Sequence, residues 1–231
     1  KKIPMVGQGK SITFVPNDAQ ANSYTWTGLN NAINNSGSGS NQTGGGFNLT
    51  QGGWTEIGDT SAFLGYQAAL IQDMWVDTTQ GSITLPLSDD SATNVHVTSS
   101  AIYKFYNQQY MDFYVQSNGA VTFTGDWMTY NEPANLGYTA VANSLPDKGI
   151  WAYWNDLNPS AGGTVRTGEY MGTDQNGMVY HAMVFEWNSV PRYYAQGNNT
   201  FQIQLWDTGH VVMCYDSIYT DSHITGIRNS I

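Results

Sequence analysis

Residues 199–217 read NTFQIQLWDTGHVVMCYDS, and this stretch decides the fold class. An alternating run, FQIQLW, and an apolar run, HVVMCY, flank Asp207-Thr208-Gly209, a sequence typical of the turn in a β-hairpin. Glycine suits such a turn because it adopts positive φ angles without steric strain. The stretch therefore predicts two antiparallel strands joined at Gly209.

The same pattern continues through the C-terminal two-thirds of the chain. Residues 111–123, MDFYVQSNGAVTF, contain two apolar runs separated by QSNG, where Asn118 and Gly119 are expected to supply the positive φ angles of a tight hairpin. Further strand-like runs are GSITLPL at 81–87, NVHVTS at 94–99, MVYHAMVFEWNSV at 178–190 and HITGIRN at 223–229. Since no segment with a helical period is long enough for a major helix, we predict an all-β, jelly-roll-like antiparallel β-sandwich.

The N-terminal third differs in composition. Residues 30–53 are rich in Asn, Gly, Ser and Thr, and they predict a long, mobile loop because they bury too little apolar surface to offset the entropy of ordering. Residues 11–16 alternate like a strand, whereas residues 60–76 are compatible with a short helix or a strand. We therefore expect an N-terminal extension with edge strands at 1–72, packed on a β-sandwich domain at 73–231.

Composition narrows the classes of partner. The 231 residues include 18 acidic and 8 basic side chains, a net charge of −10 that repels phosphate backbones and argues against nucleic acid. No apolar run is long enough to insert into a membrane. Polar but uncharged residues dominate, which favours an extracellular or cell-surface location. Cys214 cannot form an internal disulfide and is interpreted as a small buried apolar residue rather than a catalytic thiol activated by His210.

Six segments in a fixed order carry a family resemblance. They are WVDTTQGSITLPLSDDS, FYVQSNGAVTF, GIWAYWNDLNPSAGGTVRT, MVFEWNSVP, NTFQIQLWDTGHVVMCYDS and ITGIRN. Residues 73–231 thereby resemble the nidogen-like (NIDO-type) β-module, in the version found in secreted bacterial and archaeal surface proteins. The resemblance implies an extracellular, non-catalytic module of adhesive, matrix or surface-attached proteins, without a shared active site.

The segment 150–163, IWAYWNDLNPSAGG, looks most like a site. Asp156 is interpreted as a turn-stabilising corner residue, with Pro159 ending the preceding strand. Alternation would place Trp151 and Trp154 on opposite faces of that strand. The alternative is a Ca²⁺ loop that uses Asp156 and Asn158, but one carboxylate is few for calcium. Asp174 is a further Ca²⁺ candidate in a sequence typical of a hairpin turn, and Asp89-Asp90 is interpreted as a solvated turn. We expect no cofactor.

An enzymatic reading depends on Glu186, which lies inside an apolar run. A glycosidase needs a second carboxyl group about 5–9.5 Å away, and Asp207 or Asp216 would have to supply it. The spacing favours neither, and the histidines form no zinc-binding motif. We therefore predict that the chain is not an enzyme.

Aromatic residues point to binding, because exposed rings stack on sugar faces while buried rings merely fill a β-sandwich core. The glycan-binding candidates are Tyr193, Tyr194, Trp127 and Tyr130, all in loop sequences. Four Asn-x-Ser/Thr triplets are possible N-glycosylation sites, at Asn34, Asn41, Asn48 and Asn198.

The composition, the family resemblance and the aromatic residues lead to one preferred function and two alternatives. The first is an extracellular structural or adhesive module, a self-assembling surface or filament subunit whose partners are copies of itself or other surface proteins and glycans. In that case a segment such as KSITFVP adds to a sheet edge of a neighbour. The alternatives are a carbohydrate-binding module using the loop aromatics and an accessory domain of a secreted hydrolase.

Overall fold

A computed structural model provides the structure of the protein. It describes residues 75–106, 108–125, 148–173, 179–194, 196–219 and 224–229, together with the backbone of five earlier strands. The strands are β1 (Lys10–Pro16), β2 (Tyr24–Thr27), β3 (Gly45–Thr50), β4 (Gly53–Ile57), β5 (Tyr66–Ile71), β6 (Ile83–Thr84), β7 (Ala92–His96), β8 (Tyr103–Phe105), β9 (Gln108–Tyr110), β10 (Asp112–Gln116), β11 (Ala120–Thr122), β12 (Lys148–Trp154), β13 (Thr164–Thr173), β14 (Val179–Pro191), β15 (Asn198–Trp206), β16 (Val211–Ser217) and β17 (Ile224–Asn229).

The strands form two large sheets. Sheet A has seven strands in the order β5-β1-β16-β15-β14-β13-β6, and sheet B has eight in the order β4-β3-β2-β17-β12-β11-β10-β7. Strands β8 and β9 form a separate ribbon. Pairing is antiparallel except between β2 and β3. The prediction of an all-β antiparallel sandwich is confirmed, and no helix in the described part of the chain is long and apolar enough to cross a membrane.

The core lies between the inner faces of the two sheets. Phe113 of sheet B contacts Phe185 of sheet A, with ring centroids 5.5 Å apart in an edge-to-face arrangement. Tyr153 and Phe201 make a second cross-sheet contact at 5.9 Å. All four residues belong to the main core cluster, and their burial supplies the hydrophobic driving force for the sandwich.

Strict alternation is wrong for the start of the site segment. Trp151 and Trp154 are both fully buried, but the adjacent residues Ala152 and Tyr153 both belong to the main core cluster. The register of β12 against β17 shifts between Trp151 and Trp154. Such an irregularity adds a residue to one strand and interrupts the two-residue period, so neighbouring side chains turn to the same side.

The N-terminal segment contributes strands to both sheets. β1 and β5 belong to sheet A, while β2 pairs with β17 and extends sheet B through β3 and β4. The ambiguous stretch at 60–76 contains a strand, β5, rather than a helix. The predicted loop at 30–53 is wrong at 45–50, where backbone pairing with β2 and β4 forms β3. Residues 30–44 lie outside the described part.

Candidate functional site

Four connections meet at one end of the sandwich, and together they form what we call the loop end. They are residues 88–91, 117–119, 155–163 and 192–197. The side chain of Asn118 joins three of them. Its Nδ2 donates to Asp90 Oδ1 at 2.8 Å, and its Oδ1 accepts from the backbone amide of Leu157 at 2.9 Å. The Tyr193 amide donates to the carbonyl of Asp156 at 2.9 Å and adds the fourth.

The turn predicted at Asn118-Gly119 lies between β10 and β11. Gly119 has a φ of +82°, whereas Asn118 is outside the positive-φ region. The side chain of Asn118 instead binds the neighbouring loops. The other turn glycine, Gly209, has a φ of +85° and joins β15 to β16, with its amide donating to the Trp206 carbonyl at 2.8 Å.

Asn155 organises the corner at which β12 ends. Its side-chain oxygen accepts from the Asp156 amide at 2.8 Å and from Arg192 Nε at 3.0 Å. Asn155 is fully buried and Arg192 nearly so, which makes these bonds expensive to break. The corner role was predicted for Asp156 and not for Asn155, although Asn-Asp after a strand is a typical turn signal.

Asn158 and Pro159 belong to a short 3-10 turn, Pro159–Ala161. The side-chain oxygen of Asn158 accepts from the Ser160 amide at 2.9 Å and caps this turn. Proline fits its first position because the fixed φ angle suits a helical turn and the missing N–H would lack a partner there. Asn158 thus has a local structural role.

Three carboxylates from two connections cluster at the loop end. Asp89, Asp90 and Asp156 each place an oxygen within 4.8 Å of the others. The turn at Asp89-Asp90 is partly exposed to solvent, and the fold places it against the corner at Asp156. Carboxylate oxygens are ligands that Ca²⁺ prefers, so these three residues can supply ligands for a hard cation. The Ca²⁺ candidate Asp174 lies outside the described residues.

Electrostatic repulsion within the cluster affects stability. Burial, and then the charge of Asp90, raise the pKa of the Asp89 carboxyl above its ordinary value of 3.8. A carboxyl whose pKa is raised by folding binds protons more tightly in the folded state. The free energy of unfolding therefore decreases as the pH rises from about 4 through the raised pKa.

Replacing Asp89 with asparagine is accordingly expected to raise the midpoint of thermal unfolding at pH 7. The gain in stability is expected to stay below about 1 kcal/mol, because solvent screens a partly exposed charge. It should shrink below about pH 4, where the wild-type carboxyl is itself protonated. Calorimetry at both pH values in chelator-treated buffer measures this. A lower midpoint for Asp89→Asn at pH 7 would contradict the repulsion.

Tyrosine rings cover another part of the loop end. Tyr193 and Tyr194 are 47% and 70% exposed, and their ring centroids lie 5.1 Å apart with the planes at 75°. Tyr219 is 37% exposed, and its ring lies against Gly197 so closely that an added Cβ there would come within 2.2 Å of it. We call these three residues the tyrosine patch. The other two glycan candidates, Trp127 and Tyr130, lie outside the described residues.

Glu186 is part of an internal polar network on the outer face of sheet A. It is 2% exposed, and its carboxylate accepts from Gln202 Nε2 at 2.7 Å and from Asn188 Nδ2 at 3.2 Å. Gln202 in turn exchanges hydrogen bonds with the backbone of Val76, which crosses this face. A buried carboxylate held by two amides is poorly placed to reach a polysaccharide.

The two partners considered for Glu186 also have structural or exposed positions. Asp207 accepts from the His181 amide at 3.0 Å, and Asp216 is exposed at the end of β16. Cys214 is fully buried, and Gln204 Nε2 donates to its sulfur at 3.3 Å. Neither arrangement resembles a catalytic pair.

Two of the four candidate glycosylation sites lie in described strands. Asn198 is exposed at the start of β15, and Asn48 lies in β3. Asn34 and Asn41 fall outside the described residues.

Comparison with known proteins gives one match. The family model described as NIDO related matches residues 65–231, which include the whole loop end and all strands from β5 onward. No curated protein and no solved structure matches the chain.

Proposed function

Because the chain belongs to the nidogen-related family, we propose that it is an extracellular, non-catalytic adhesive module that binds its target through the tyrosine patch. The observation that carries this proposal is the pair of exposed rings of Tyr193 and Tyr194 on a loop that buried hydrogen bonds hold in place. Large exposed aromatic side chains with few rotatable bonds are typical of binding surfaces.

The loop is preorganised for binding. The Tyr193 amide is bonded to Asp156, and Arg192 beside it is bonded to the buried Asn155. A further backbone bond from the Arg192 amide to the Gln196 carbonyl, at 3.2 Å, closes the loop. A surface that is ordered before binding loses less conformational entropy when its target arrives, which raises affinity.

The chemistry of the patch favours a neutral carbohydrate as the target. Tyrosine offers an apolar ring face for the C–H side of a sugar and a hydroxyl group for hydrogen bonding. The carboxylate cluster of Asp89, Asp90 and Asp156 lies beside the loop, and the chain has a net charge of −10. Both features repel sulfated glycans and those rich in uronic acids.

Replacing both Tyr193 and Tyr194 with alanine is expected to weaken glycan binding at least about tenfold, because loss of one aromatic anchor alone often removes more than 1.4 kcal/mol. An array of neutral and acidic polysaccharides first identifies what the wild-type protein retains. Titration calorimetry with that glycan then measures the affinity of the double variant.

Met171→Ala is the matched control, since Met171 is a largely exposed apolar residue on β13, away from the loop end. It should leave binding unchanged. If the array retains only acidic polysaccharides, or if the double variant and the control bind equally well, the tyrosine patch is not a neutral-glycan site. A chain that binds no glycan but adheres to a surface protein through the patch would retain the adhesive function and change the target.

A further inference from the structure

Strand β1 occupies an unusual place in sheet A. It lies between β5 and β16, paired antiparallel with both. Both neighbours fall within residues 65–231, which match the family, whereas β1 at Lys10–Pro16 lies outside that range. A strand from beyond the family module is thus inserted between two strands of the module.

The edge of β16 requires a partner strand. The side chains of β16 from Val211 to Tyr215 are fully or almost fully buried, and its other edge is already paired with β15. Without β1 the backbone groups of this strand would lose five residue pairs, Lys10↔Tyr215 through Phe14↔Val211. Buried backbone groups that lack a hydrogen-bond partner are costly, so an empty slot is strongly unfavourable.

Strand pairing is what holds β1 in its own chain. In the described part of the chain, β1 is paired with β5 and β16 alone, and β5 is joined to sheet A through β1. Residues 17–23 connect β1 to β2, which lies in sheet B. A connection of seven residues spans at most about 25 Å when extended, which is enough to reach an adjacent molecule.

We propose that β1 of one copy inserts between β5 and β16 of a second copy, so that the protein assembles by strand exchange. The inserted strand would form the same residue pairs as in the closed molecule. Reciprocal exchange between two copies closes a dimer, whereas exchange along a series of copies forms a ring or an open filament. This assembly does not depend on the tyrosine patch.

The native cysteine provides a direct test. Ser11 of β1 is in register with Cys214 of β16. In a Ser11→Cys variant, diamide oxidises the two facing thiols to a disulfide and is itself reduced to the hydrazine. The bond is intramolecular in a closed molecule and intermolecular after exchange, and non-reducing denaturing electrophoresis separates the two.

The full-length variant is refolded and oxidised at concentrations from about 1 μM to above 1 mM, because a short linker holds its own strand at an effective concentration in the millimolar range. We expect covalent dimers and a ladder of larger species whose share rises with concentration. Ser11→Ala, which carries no second thiol, should give only monomer.

Two results would overturn the proposal. A disulfide-bonded monomer at every concentration would show that β1 stays in its own chain. Free thiols throughout would show that β1 does not lie opposite Cys214 at all. Neither result bears on glycan binding by the tyrosine patch, so assembly and target binding are tested separately.

Discussion

Replacing Gly119 with alanine should destabilise the protein by about 3 kcal/mol, the sum expected for overpacking at a rigid site and for a positive φ angle. Gly119 has a φ of +82°, and a Cβ at this position would lie 2.1 Å from the carbonyl oxygen of Tyr153. That oxygen belongs to the backbone of β12. The carbonyl of Gly119 also accepts the amide of Ala152 at 3.2 Å, so the turn and the strand cannot easily move apart.

Urea denaturation measures this loss, and Gly125→Ala is its control. Gly125 also has a positive φ, +124°, but nothing lies within 4 Å of an added Cβ. This second substitution should cost only about 1 kcal/mol, the usual penalty for placing alanine in a conformation that favours glycine. Equal losses for the two variants would mean that the contact with Tyr153 has no effect.

Replacing Trp187 with alanine is expected to lower the free energy of unfolding by about 4 kcal/mol, the range measured for removal of a buried aromatic side chain. Its ring is fully buried and stacks on Phe201, with centroids 4.9 Å apart and planes at 13°. Its indole N–H donates to the carbonyl of Ser117 at 3.0 Å. The substitution therefore leaves a cavity and an unsatisfied carbonyl next to Asn118, and it should also loosen the loop end.

Trp187→Phe separates the two contributions. Phenylalanine retains an aromatic ring over Phe201 but cannot donate to Ser117, so its loss should be about half that of alanine. Urea denaturation of the wild type, Trp187→Ala and Trp187→Phe gives the loss in free energy of unfolding for each variant. If the free energy of unfolding of Trp187→Ala lies within about 0.5 kcal/mol of the wild-type value, as for a surface substitution, the ring is not part of the core.

Local sequence signals predicted much of the fold because they depend on neighbouring residues alone. The glycines at 119 and 209 mark hairpin turns, and both have the positive φ that such turns require. Alternation also placed Glu186 on the face opposite Phe185 and Trp187, and both of these aromatic residues belong to the core cluster while Glu186 does not. Alternation failed at Trp151–Trp154, because a shift of register depends on the partner strand and leaves no mark in the alternating pattern.

Less of the candidate site than of the fold could be predicted from the sequence. Tyr193 and Tyr194 were identified because two adjacent aromatic residues in a polar loop have no partner strand to pack against. The carboxylate cluster was missed, since Asp89 and Asp90 meet Asp156 only when separate connections reach the same end of the sandwich. The role of Asn118 in joining these connections was missed for the same reason.

Turn chemistry and alternation act over a few residues, so two tight turns, many of the strands and the class of the fold could be predicted from the order of the amino acids. Tertiary packing settled which distant strands pair. It placed β1 beside β16, β2 beside β17 and the three carboxylates beside the tyrosine loop. Any exposed strand edge can accept any strand, so the choice depends on which arrangement buries the most apolar surface and satisfies the backbone of the whole chain.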